Sequence, residues 1–168
     1  MPMYEIEHIA PLTSTQKDAL ALAITEIHST KFTTPRLFVN VKITDASKQE
    51  TYVAGKPRTS NRISAHVRTS AARTQEDFNQ LCNDLHVAWS SIVHPAHPTK
   101  PPADQELRAV FVLGDITAAW GAGFAVPTAG QDAQWAKDNM AAFKQRASGG
   151  DQDFADLVAE LESREEFM

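Results

Sequence analysis

Pro2-Met3-Tyr4-Glu5-Ile6-Glu7-His8-Ile9 is the stretch from which the fold follows. Successive side chains of an extended chain point to opposite faces, so Pro2, Tyr4, Ile6 and His8 share one side and Met3, Glu5, Glu7 and Ile9 the other. A strand therefore starts at the second residue, and Pro11 ends it. Thr13, followed three residues later by Gln16, makes a capping box. The helix it opens carries Leu20, Ala23, Ile24 and Ile27 at helical spacing and puts His28 in its last turn. Beyond Thr33-Thr34-Pro35, the residues Leu37, Val39, Val41 and Ile43 alternate with Phe38, Asn40 and Lys42, which predicts a half-buried strand and completes a β-α-β unit.

The same order recurs downstream. Thr51-Tyr52-Val53 runs into a turn at Ala54-Gly55-Lys56-Pro57, and Ile63 to Arg68 alternates as a strand. A second amphipathic helix from Thr74 carries Phe78, Leu81, Cys82, Leu85, Trp89 and Val93, with Asp77 favouring its N-terminal dipole. Ala109-Val110-Phe111-Val112-Leu113 is continuously apolar and reads as a strand buried on both faces. Thr15-Gln16-Lys17-Asp18 is echoed by Thr74-Gln75-Glu76-Asp77, although helix starts favour these residue types anyway and the repeated order of elements weighs more. Four of the nine prolines lie within residues 94–105, which predicts an irregular loop. After a Gly/Ala/Pro-rich run from Gly121 to Gly130, a short helix is expected over Ala133–Phe143, and Ser148-Gly149-Gly150 releases a tail. In that tail Phe154, Leu157, Val158 and Leu161 share one helical face, either docked on a neighbour or loosely ordered. The reading divides the chain into a main domain over 1–145 and an amphipathic helical tail over 146–168.

Composition bounds the function. The 168 residues are 42% hydrophobic and 22% charged, with net charge -5, which suits one soluble domain and offers no basic surface for nucleic acid. No apolar run approaches the roughly 18 residues of a membrane span, and Met1-Pro2-Met3-Tyr4-Glu5 lacks the character of a signal peptide, so a cytoplasmic protein is expected. The single cysteine, Cys82, reads as a small core residue. His94 and His97, three apart, have no third ligand nearby; solvent exposure is expected there, and no metal or organic cofactor.

A strand opening at Pro2 and followed by two β-α-β units resembles the tautomerase superfamily. Ala23-Ile24-Thr25-Glu26-Ile27-His28 is similar to the first-helix ending of the cis-3-chloroacrylic acid dehalogenase branch. Tyr52 to Arg58, His66-Val67-Arg68 and Ile116-Thr117-Ala118-Ala119-Trp120 resemble the dehalogenase-like tautomerases of fungi, so that the likeness covers roughly residues 2–140. The resemblance implies a four-stranded mixed sheet with two helices on one face, an α/β (α+β) tautomerase fold with a C-terminal helical extension, whose bare sheet face is covered in a homotrimer. It implies that Pro2, freed by loss of Met1, is the catalytic secondary amine and that His28 binds carboxylate or orients water. It also implies a pair of carboxylate-binding arginines, Arg68 and Arg73. These stand five apart where the dehalogenase pair stands three apart, so Arg73 is the one expected to leave the pocket. Tyr4, Val112 and Trp120 are expected to wall the pocket.

The dehalogenase's water-activating tyrosine and glutamate fall here near Val112 and in Ala119-Trp120-Gly121, which holds no acid, and Asp115 matches a different acid of the relatives. The expected chemistry is therefore cofactor-independent keto-enol tautomerisation of small α-keto or enol carboxylates, with Pro2 as general base. A hydratase, dehalogenase or decarboxylase using the same proline is the alternative. A non-catalytic binding protein of the same fold is another. Each residue also has a plainer role open to it: proline commonly follows an initiator methionine, His28 could complement a helix dipole, Arg68 could be a solvated strand-end charge, and Trp120 could be packing.

Overall fold

The computed structural model describes residues 1–96 and 101–167. Strand β1 (Met3–His8) is followed by helix α1 (Ser14–Phe32) and strand β2 (Asn40–Asp45), then by the two-residue strands β3 (Tyr52–Val53) and β4 (Lys56–Pro57). Strand β5 (Asn61–His66), helix α2 (Gln75–Val93) and strand β6 (Leu107–Leu113) repeat the pattern. A second small hairpin, β7 (Trp120–Gly121) with β8 (Phe124–Ala125), leads to helices α3 (Asp132–Ser148) and α4 (Gln152–Ser163).

The four long strands form one mixed sheet in the order β2-β1-β5-β6. β1 runs parallel to β2 and antiparallel to β5, and β5 runs parallel to β6, so the two β-α-β halves meet at the β1–β5 seam. The alternation in β1 falls as expected: Tyr4, Ile6 and His8 are buried against the helices, whereas Met3, Glu5 and Glu7 point to the other face. With Ile63 and Ala65 of β5, this inner face packs on Leu20 and Ile24 of α1 and on Leu81, Leu85 and Trp89 of α2. Asn61, fully buried at the start of β5, clips three segments together: its Oδ1 accepts from the Ile9 and Ala10 amides, and its Nδ2 donates to the Asp104 and Glu106 carbonyls.

Both main helices start with the box that satisfies their first free amides. Thr13 and Gln16 cap α1, and Thr74 and Asp77 cap α2. The echo at Thr15 and Thr74 is thus out of structural register, since the cap of α1 lies two residues earlier than the echoed threonine. The β3–β4 turn places Ala54 at φ 52° and Gly55 at φ 72°, the left-handed pair that matches a two-residue hairpin to the twist of its strands.

Several expectations are corrected. α1 continues to Phe32, one turn past His28, which is 1% exposed and stands inside the helix rather than in its last turn. Residues 37 and 38 do not belong to β2: Pro35 opens a 3-10 turn over Arg36–Phe38, and Leu37 and Phe38 turn toward the C-terminal helices, which outweighs their alternation with Val39 to Ile43. β6 is not buried on both faces. It is an edge strand with no helix of the described residues over its outer side, and Phe111 is 51% exposed. Cys82 is only half-buried, and burial raises its thiol pKa. His94 is buried where solvent exposure was expected, because α2 runs up to it and its amide donates to the Ser90 carbonyl; His97 lies outside the described residues.

α3 is longer than its periodicity predicts, reaching Ser148, and the two glycines after it turn the chain back rather than releasing it. Gly150 takes φ +94°, a conformation favourable only without a Cβ. The apolar face of α4 docks: Phe154, Leu157 and Leu161 join Phe38, Ala136, Phe143 and Phe167 in a second core, to which Leu37, Phe124, Trp135 and Met1 contribute. Arg164 fastens the far end, its Nη1 donating to Ser29 Oγ on α1 at 2.7 Å. Among the described residues no helix is long and apolar enough to cross a membrane.

Candidate active site

The first two residues of the chain, the C-terminal half of α1, the loop between β5 and α2, and the start of α3 converge at one place. Tyr4 leads inward from β1. Its hydroxyl lies 2.7 Å from His28 Nδ1, and both groups are buried. Burial raises the Tyr4 pKa, Arg73 opposing it, and among the described residues His28 is the only hydrogen-bond partner of the hydroxyl, so the phenol donates to Nδ1. This leaves His28 as the neutral tautomer that carries its hydrogen on Nε2, an atom buried with no partner. The His28 pKa is held well below its ordinary value, first by burial and then by Arg73, the N-terminal ammonium and Arg68. Neutral and buried, His28 does not act as a cation complementing the helix dipole.

The His28 ring lies 4.9 Å from that of Phe32, and the Arg73 guanidinium sits 4.3 Å above the Phe32 ring on its other flank. The turn from Ser70 brings Arg73 back, its Nη1 donating to the Arg68 carbonyl at 2.9 Å. Five residues of separation therefore suffice to put both arginines at one site. Their states differ. Arg68 donates to the Pro127 carbonyl and, at 2.7 Å, to Asp132 Oδ1, with the two charged side chains 6% and 5% exposed. Arg73 has no carboxylate partner among the described residues; its Nη2 is buried without an acceptor, and its pKa is lowered by burial and then by Arg68. The arginine expected to leave the pocket is the one with a free donor, and the more secure of the two is neutralised from within the chain.

A cleft of about 300 Å³ opens beside this cluster, lined by Phe32, Arg73 and Asp132 together with Lys31, Asp77 and Ala133 among others. Of the residues expected from the sequence, only Arg73 lines it. Pro2, Tyr4, His28 and Arg68 are buried and do not line it. Val112 borders a different cleft with Val67, Phe78 and Cys82, and Trp120 stands 70% exposed on β7. Asp115 bonds His66 at 2.8 Å on the open sheet face, away from the arginines. Asp132 was not legible in the sequence. The signal available was an acid at the start of a helix, a pattern whose ordinary meaning is dipole compensation.

The N-terminal amine lies in the same field. Met1 packs its sulfur against Gly121, where an added Cβ would make the Met1 side chain shift. Its ammonium pKa is lowered from 8.0 to about 5, chiefly by burial and then by Arg68; Asp132 pulls the other way and Arg73 adds to the lowering. Pro2 is buried, its carbonyl accepting from the Asn40 amide at 3.2 Å. The site thus presents a neutral amine, two unpartnered donors and an unpartnered carboxylate oxygen, Asp132 Oδ2. Among the described residues no group of three or more His, Cys, Asp or Glu side chains is placed to hold a metal ion.

The structure thus sets an N-terminal amine at the head of a parallel β-α-β pair, with two arginines after the third long strand. The family model described as "Putative oxalocrotonate tautomerase enzyme" matches residues 1–140, and the chain belongs to this tautomerase family. Solved structures of similar fold include N1, a member of the cis-3-chloroacrylic acid dehalogenase family. It is 18% identical, with a TM-score of 0.59 over 92% of this chain and 99% of that one. RhCC from Rhodococcus jostii RHA1 is 20% identical, with a TM-score of 0.56 over 82% of this chain and 96% of its own. A fused 4-OT asymmetric trimer is 16% identical, with a TM-score of 0.53 over 73% and 94%. At these identities the likeness is one of fold. No curated protein matches the chain significantly in sequence.

Proposed function

We propose that the chain is a cofactor-independent keto-enol tautomerase for small α-keto acids, with the amine of Pro2 as general base once Met1 has been removed. The observation that carries this reading is the setting of the N-terminus: burial and the charges of Arg68 and Arg73 lower the Met1 amine to about 5, and a Pro2 amine freed by loss of Met1 would lie beside the same two arginines. An amine so perturbed is a free base at neutral pH and can take a proton from carbon beside a carbonyl. The C–H bond breaks, an N–H bond forms on Pro2, and the electron pair moves to the carbonyl oxygen. Arg73, which lines the cleft and whose buried Nη2 lacks an acceptor, binds the substrate carboxylate; loss of Met1 opens the way inward to Pro2 and to Nε2–H of His28, which donates to the developing enolate oxygen. Return of the proton to oxygen gives the enol, and the reverse sequence ketonises it. Arg68 contributes its charge from behind, held by Asp132.

Assembly as a homotrimer is part of the proposal. The open sheet face bears Met3, Phe111 and Leu113, exposed at 43%, 51% and 38%, which favours burial against another copy. The similar fused 4-OT structures are described as trimers.

The test has two stages. Intact mass of the native protein reports whether Met1 is absent, since with Met1 retained the Pro2 nitrogen is an amide and cannot act as a base. Pro2→Ala is then expected to lower phenylpyruvate tautomerisation by orders of magnitude while the trimer mass persists. Undiminished turnover in that variant would remove the mechanism.

A further inference from the structure

We infer that the space taken by Met1 is the substrate's own: once Met1 is gone, an unbranched apolar chain on C3 of the α-keto acid lies along the track of the Met1 side chain, and Gly121 is the residue that selects for it. The inference rests on the tautomerase reading for the keto-acid head and for the loss of Met1, while the track itself is read from the packing. Deprotonation at C3 needs that carbon against the Pro2 nitrogen, on the side from which the Met1 carbonyl carbon departs. Whatever C3 carries must then follow a path that begins where Met1 begins. Met1 divides there into a polar and an apolar branch. Its amine stands where burial and then the charges of Arg68 and Arg73 disfavour a cation, with Asp132 opposing, so a carboxylate suits that end better than an ammonium. Its side chain, partly buried, packs instead onto the second core. Sδ would overlap a Cβ at Gly121, and Cε and Cγ lie 3.2 and 3.7 Å from that position. Glycine is therefore what leaves the track open.

The wall of the track is fixed from outside. Arg146 of α3 donates from Nη1 to the Ala122 carbonyl in the β7–β8 turn and from Nη2 to Asp151, with its guanidinium 4.1 Å above the Phe154 ring. Phe124, paired with Gly121 across the hairpin, packs its ring on Trp135, Phe143 and Phe154. A hairpin held at its turn and along its second strand keeps its shape when Met1 leaves. From Cα to Cε the side chain of Met1 is unbranched, and a reacting carbon about 3 Å from nitrogen, rather than at bonding distance, leaves room for about four carbons beyond C3.

The competing view is that Met1 only fills a gap in the second core, which closes when it leaves. N-alkyl oxamates separate the two, since their amide nitrogen stands where C3 would and has no C–H to lose. N-butyl-, N-tert-butyl- and N-methyloxamate are titrated calorimetrically into protein whose intact mass shows Met1 absent. Each buried methylene is worth roughly fourfold in affinity, so the butyl compound is expected to bind roughly tenfold or more tighter than the methyl one. The tert-butyl isomer has the same carbons in a shape the track does not admit, and is expected to bind no tighter than the methyl compound. In Gly121→Val the butyl preference is expected to fall to about unity, because the new side chain occupies the track. Equal binding of the butyl and methyl compounds, or of the two butyl isomers, overturns the inference. So does a butyl preference that survives in folded Gly121→Val. Should that variant fail to fold, the smaller Gly121→Ala and the three-ligand series on the native sequence decide. Failure of the tautomerase reading is distinguishable, because it appears as unchanged turnover in Pro2→Ala, whereas the oxamates are read by binding alone.

Discussion

Arg68→Met, Asp132→Asn and the double variant should reveal a buried ion pair that fastens α3 to the sheet. Both side chains are almost sealed from water, at 6% and 5% exposure, and meet at 2.7 Å. At a separation of about 4 Å and an effective dielectric of about 20, two unit charges attract by about 4 kcal/mol. Removing one partner of such a pair costs about 3–5 kcal/mol, mainly because the other charge is left buried and uncompensated. Arg68→Met abandons Asp132 with a second bare oxygen, so a loss near the upper end is expected. For a domain of this size each kcal/mol is worth roughly 2–4 °C, which places the fall in Tm at roughly 6–20 °C. The double variant contains neither charge and should recover most of that loss. Thermal and urea denaturation of the four proteins yields the coupling energy, and a value of about 2 kcal/mol or more is expected. Additivity within about 0.5 kcal/mol would mean that the two groups do not interact, and would refute the geometry on which the site depends.

The amine offers a second test: with Met1 in place, the pH dependence of its acylation should show a midpoint at about 5 rather than near 8.0. Because the folded amine binds its proton less tightly than the unfolded one, stability contributed by this group is full above pH 8.0 and declines as the pH falls toward about 5. His28, lowered in the same sense from 6.5, adds a further decline below that pH, and urea midpoints measured from pH 8 to 5 should fall. Phe143→Ala removes a fully buried ring at the centre of the second core, and a loss of about 3–5 kcal/mol is expected by urea denaturation; a loss below about 1 kcal/mol would show that the C-terminal helices are not packed as described. On the open face of the sheet, Phe111→Lys should convert the proposed trimer to monomer in analytical ultracentrifugation while leaving the circular dichroism spectrum intact, since Phe111 points away from the inner core; an unchanged assembly would place the interface elsewhere.

The sequence by itself determined the elements whose cause is local. The alternation of β1 assigned Tyr4, Ile6 and His8 to the core, and the boxes at Thr13 and Thr74 set the helix starts, because capping and periodicity are satisfied within a few residues of chain. Pro2 and the arginines were legible as candidates through family resemblance, and the inward face of α4 through its spacing. What only the tertiary structure decided involves partners far apart in the chain. Arg68 finds Asp132 across 64 residues, and nothing near either one marks the pairing. Leu37 and Phe38 leave their strand pattern because a core formed by residues beyond 124 takes them. The position of Arg73 is not legible from spacing alone, since a turn at Ser70 returns its guanidinium to the carbonyl of Arg68. β6 reads as doubly buried because its apolar run is continuous, yet its outer face is left exposed by the described residues. Which charges are compensated and which donors stay open depends on where distant segments meet, and that is settled by packing.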